Sequence, residues 1–79
     1  MIDVETVIAD TRALIAVDST NPGKLEADAA NWVEQRLLGM GLQPTRHPVQ
    51  PGRDNLAVTI PGRDRDAPRF VVVSHMDTV

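Results

Sequence analysis

Phe70-Val71-Val72-Val73 is the stretch that most limits how this chain can fold. Four consecutive apolar residues, three of them β-branched, favour extended backbone and show no alternation. That is the pattern of a strand covered on both faces, the usual situation inside an α/β sheet. A strand is therefore expected from about residue 69 to 74. It runs straight into Ser74-His75-Met76-Asp77-Thr78. In extended backbone, residues i and i+2 project to the same side, which places His75 beside Asp77 and Met76 opposite. In open α/β sheets, ligand sites gather beyond the carboxyl ends of strands, so an imidazole and a carboxylate here stand in a favourable place.

The upstream chain reads as scaffold. Residues 3 to about 17 carry Val4, Val7, Ile8, Thr11, Leu14 and Ile15 on one face at the helical period, with Asp3 as N-cap and Asp10 and Arg12 solvated. Asp18-Ser19-Thr20-Asn21-Pro22-Gly23 breaks that helix, because Pro22 cannot continue it and the short polar side chains compete for backbone hydrogen bonds. A second helix is expected from residue 24 to about 40. Leu25, Ala29, Trp32, Val33 and Leu37 form its apolar stripe, and Glu26, Asp28, Glu34 and Arg36 take the outer face. Gly39 and Gly41 supply its stop. Residues 42–49 are extended but carry Pro44 and Pro48, so they belong at a sheet edge or are not a strand, and His47 is expected to be exposed there. Gln50-Pro51-Gly52-Arg53 is a turn, and Leu56, Val58 and Ile60 then alternate, which gives an antiparallel hairpin. Residues 61–68 form a solvated polar loop.

Composition closes off several classes. Seventy-nine residues make at most one small domain, and a chain of that size buries only ~60% of its unfolded surface. A net charge of −3 with interspersed signs lacks the basic footprint of a nucleic-acid binder. No stretch is long enough to span a bilayer, and the N-terminus has neither the basic nor the apolar part of a signal peptide. Without cysteine there are no disulfides or thiolate sites, and a cytoplasmic location is expected. No glycine-rich phosphate loop follows a strand, which counts against nucleotide binding.

Three uses fit the His75–Asp77 pair. His75 can bind a metal while Asp77 accepts its other N–H. Both can be direct ligands. Or they can be the base and orienter of a nucleophilic triad. Ser74 projects to the opposite face from His75, which weakens the last use.

Val71-Val72-Val73-Ser74-His75-Met76-Asp77-Thr78-Val79 resembles the first metal-site motif of the zinc aminoacylase and deacetylase family, which includes acetylornithine deacetylase, succinyl-diaminopimelate desuccinylase and glutamate carboxypeptidase. Two further segments resemble that family in the same order: Ser19-Thr20-Asn21-Pro22-Gly23 after the first helix, and Arg53-Asp54-Asn55-Leu56-Ala57 opening a strand. The resemblance implies a metal-dependent hydrolase of amide bonds in N-acyl amino acids or small peptides. It implies two zinc ions, cobalt being an alternative, with His75 as a metal ligand and Asp77 as the catalytic residue that supports it. A metal-activated water is the implied nucleophile. The family's Glu-Glu pair and its remaining ligands have no counterpart here. A homodimer formed through a further domain is also part of the resemblance, as is a small-molecule substrate.

The expected fold is thus α/β: two N-terminal helices followed by three strands of a mixed sheet, the start of a metallohydrolase catalytic domain, with residues 1–79 as its incomplete N-terminal part. A catalytic zinc takes about three protein ligands, so the segment alone is expected to bind metal weakly and to be inactive. The alternative is a non-catalytic small α/β interaction module.

Overall fold

The structure, a computed structural model, describes residues 2–21, 23 and 25–78. Two helices and one hairpin follow in chain order: α1 (Val4–Ala16), α2 (Ala27–Gly39), β1 (Thr45–Gln50) and β2 (Arg53–Ala57).

Helix α1 starts where the sequence places it. Asp3 has extended backbone, its Oδ1 accepts from the Glu5 N–H at 3.1 Å, and its Oδ2 accepts from the Thr6 hydroxyl at 2.7 Å. The first of these satisfies an amide donor that the first turn otherwise leaves open, and the second fixes the capping carboxylate. The apolar face of α1 stays uncovered: Val4, Val7, Ile8, Leu14 and Ile15 are all exposed. Asp10, expected to be solvated, instead accepts from Arg36 Nε at 3.0 Å and so ties α1 to α2.

Helix α2 begins at Ala27, later than its apolar stripe suggests. Leu25 has φ 64°, a left-handed conformation that a helix cannot pass through. At the other end the Gly41 N–H donates to Leu38 O at 3.0 Å and the Leu42 N–H to Leu37 O at 3.1 Å. With Gly41 at φ 82° this is a Schellman closure, and it accounts for the glycine stop. Among the described residues Ala29 and Ala30 are the buried apolar ones, and Trp32, Val33, Leu37 and Leu56 are half-buried. Small side chains let the backbone of α2 come close to its neighbours.

The hairpin pairs Thr45 with Ala57, Arg46 with Leu56, His47 with Asn55 and Pro48 with Asp54, then shifts register so that Gln50 meets Arg53. The irregularity falls beside Pro48, which has no N–H to give the ladder. His47 is exposed, as expected. Arg46 fastens the hairpin to α2. Its Nε donates to Glu34 at 2.9 Å, its Nη1 to Asp54 at 3.1 Å and its Nη2 to Asn31 at 2.7 Å. Glu34 and Arg36, assigned to the outer face from sequence, are thus both cross-links.

Gly52 turns the hairpin at φ +76°, and a Cβ built there would meet Leu25 Cδ1 at 3.1 Å. Gly52→Ala is expected to destabilise the fold by about 1–2 kcal/mol, the cost of left-handed backbone for an L-residue. Thermal unfolding followed by circular dichroism measures it; an unchanged midpoint would show that the turn has another conformation.

The third strand of the expected mixed sheet is not formed among the described residues. The sheet has two antiparallel strands. Phe70, Val71, Val72 and Val73 are 92%, 73%, 81% and 86% exposed. An apolar β-branched run expresses a need for cover on both faces, but no layer among the described residues supplies it. What the segment does form is a single parallel bridge at its end, Thr20 to Thr78. The polar loop 61–68 is exposed throughout.

Candidate functional site

The bridge brings the loop after α1 against the end of the apolar run. The Asn21 N–H donates to Thr78 O at 2.7 Å, and the Thr78 N–H donates to Ser19 O at 3.0 Å. Asp18 shapes the approach, its Oδ1 accepting from the Thr20 N–H at 3.1 Å and the Thr20 hydroxyl at 2.7 Å. This local turn is what short polar side chains favour. Ser19 is buried by the result.

From this bracket a chain of side chains crosses the molecule. Asn21 Nδ2 donates to Asp77 Oδ2 at 3.0 Å and to Glu26 Oε1 at 2.7 Å. Glu26 in turn receives Arg53, with Nε to Oε2 at 3.0 Å and Nη2 to Oε1 at 2.7 Å. Such a two-pronged carboxylate–guanidinium contact fixes both planes. Spacing alone puts Glu26 on the outer face of α2. It is instead 9% exposed at the N-cap position, pulled inward by Arg53. The Arg53 guanidinium, then the Asn21 amide, hold the Glu26 carboxyl below its ordinary range.

His75 and Asp77 lie together, as alternation requires. His75 Nδ1 is 3.0 Å from Asp77 O and 3.1 Å from Asp77 Oδ1. Both oxygens only accept, so Nδ1 carries the hydrogen. In the neutral ring Nε2 then holds the free lone pair. The His75 side chain is 84% exposed, so that nitrogen is open to an approaching group. The Asp77 carboxyl is held below its ordinary range first by Asn21 and then by His75. At neutral pH it is the charged acceptor that the Nδ1–H faces.

Beside the pair is an open cleft of about 420 Å³, lined by Glu26, Gln50, Arg53, Asn55, His75 and Asp77 among others. Its volume falls in the range of small-molecule sites. Among the described residues, no group of three or more His, Cys, Asp or Glu side chains is gathered to hold a metal ion. The donors present fit one coordination position, His75 Nε2, because the Asp77 oxygens are already engaged by Asn21 and His75. Sequence reasoning located His75 and Asp77. It missed Asn21, Glu26 and Arg53 as members of the same network, although Asn21 and Arg53 lie inside the two upstream motifs. Among the described residues no helix is long and apolar enough to cross a membrane. Comparison with protein-family models, with curated proteins and with solved structures finds no match to this chain.

Proposed function

We propose that this chain is the opening part of a metal-dependent hydrolase of amide bonds in N-acyl amino acids or small peptides, with His75 as one metal ligand and Asp77 as its support. One observation carries the reading. Three sequence segments that resemble the same hydrolase family, far apart in the chain, meet in one hydrogen-bonded network through Asn21, Arg53 and Asp77. The His75 tautomer fits as well, since an Nδ1–H held by a carboxylate presents Nε2 for coordination. Zinc or cobalt, when bound, would supply Lewis acidity and an activated water. The residues of this chain orient the imidazole, hold Asp77 charged and line a cleft of suitable volume. Exposure of residues 70–73 is in keeping with a larger α/β sheet whose other layers would cover them. A homodimer and a cytoplasmic location belong to the same proposal.

The test is zinc titration of the 79-residue chain followed by imidazole ¹⁵N shifts. Weak binding at His75 Nε2 is expected, with the Nδ1–H retained, and His75→Ala is expected to abolish it. Zinc that binds His75→Ala as well as the parent protein would overturn the ligand assignment.

A further inference from the structure

Asn21 occupies a position whose chemistry is narrowly defined. Its amide nitrogen has two hydrogens, and each faces a different carboxylate: Glu26 Oε1 at 2.7 Å and Asp77 Oδ2 at 3.0 Å. The reverse orientation of the amide would set a carbonyl oxygen against two acceptors, so only nitrogen fits there. An aspartate in the same place could donate to neither partner and would gather three negative charges.

We infer that Asn21 is a positioning residue for His75 that acts through Asp77, with the Glu26–Arg53 ion pair as its anchor. The proposal rests on the reading of His75 as a metal ligand. Asp77 has two oxygens and two side-chain partners. Oδ1 faces His75 Nδ1, and Oδ2 takes the Asn21 amide. Without the second contact the carboxylate can rotate about its own bonds, and the exposed imidazole then keeps only the Asp77 backbone oxygen, 3.0 Å from Nδ1, as its acceptor. Glu26 gives the amide a fixed reference because both its oxygens are held by Arg53. The path from β2 to the imidazole is therefore Arg53, Glu26, Asn21, Asp77, His75, each step a hydrogen bond. The backbone of the loop is held separately, by the contacts of Ser19 and Asn21 with Thr78. The side chain of Asn21 can thus be altered while those backbone contacts stay available.

Asn21→Ala in the 79-residue chain is the test, with the metal-free imidazole ¹⁵N shifts, the zinc affinity and the exchange rate of the Thr78 amide measured together. In the parent protein the Nδ1–H tautomer of His75 is expected to dominate. In Asn21→Ala the ring is expected to move toward the tautomer mixture of a free imidazole. Zinc affinity should fall about tenfold, as for other partners that support a ligating histidine, while Thr78 stays protected. Asn21→Asp should behave at least as badly. An unchanged tautomer and affinity with Thr78 protected would overturn the inference. Loss of Thr78 protection in step with the tautomer change would overturn it too, because Asn21 would then only hold the loop. If zinc never reaches His75 in the parent protein, the metal-ligand reading fails, and the tautomer measurement still decides the role of Asn21.

Discussion

Ala30→Leu is expected to destabilise the protein by about 1–3 kcal/mol, the usual cost of forcing extra methylenes into a filled space. Ala30 is 1% exposed and Ala29 3%, and no larger side chain is buried as deeply among the described residues. The close approach of α2 to its neighbours therefore depends on two methyl groups. A leucine at position 30 must either leave its favoured rotamer or push the helix outward. Pushing α2 away from the hairpin would strain the contacts of Arg46 on β1 to Glu34 and Asn31 and that of Arg53 on β2 to Glu26, all of which span that junction. For a domain of this size each kcal/mol moves the thermal midpoint by about 4–8 °C. Gln35→Leu, at an exposed position of the same helix, is the control and should stay within about 0.5 kcal/mol. Equal midpoints for the two variants in thermal melts would mean that Ala30 is not packed.

Acidification is the second large effect. The carboxyls of Glu26 and Glu34 are lowered from an ordinary value of 4.5, chiefly by Arg53 and Arg46 respectively, and that of Asp77 from 3.8, chiefly by Asn21. The unfolded chain, with ordinary values, takes up protons first as pH falls. Stability supplied by these groups is therefore complete above about pH 4.5 and is lost below it, as pH falls through the depressed folded-state values. A melting midpoint that is flat from neutral pH to about 5 and drops steeply below 4.5 is the expected profile. Glu26→Gln mimics the protonated side chain, so it should lower the midpoint at neutral pH and make the acid limb shallower. Added salt should weaken the effect, since these pairs remain partly open to solvent. A midpoint that rises on acidification would contradict the ion-pair network.

The helices and the hairpin were legible because their signals are local. Asp3 names the start of α1, Gly41 the stop of α2, and Pro51-Gly52 the turn between β1 and β2. The strand expected at residues 69–74 was not formed, since apolar content states what a segment needs and not whether a neighbour provides it. Leu25 shows a smaller failure of the same kind: it matched the helical stripe, yet its left-handed backbone delays α2 until Ala27. In the site, the His75–Asp77 contact followed from i, i+2 alternation alone. Glu26 did not, because its partner Arg53 is 27 positions away and periodicity carries no information about charges that meet through the fold. Asn21 looked like ordinary loop chemistry for the same reason.

The contact between Asn21 and Asp77 joins positions 56 residues apart. Closing a loop of that length costs roughly 3–4 kcal/mol of chain entropy, apart from a constant term. The helices and the hairpin need no such closure, since their partners are a few residues away. In a folding trajectory the scaffold thus comes first, and the Thr20–Thr78 clasp comes late, after the long-range cost has been met. The same order runs in reverse when the native state breathes. The imidazole end can unclasp while the hairpin stays zipped, so His75 and Asp77 are the first to be released.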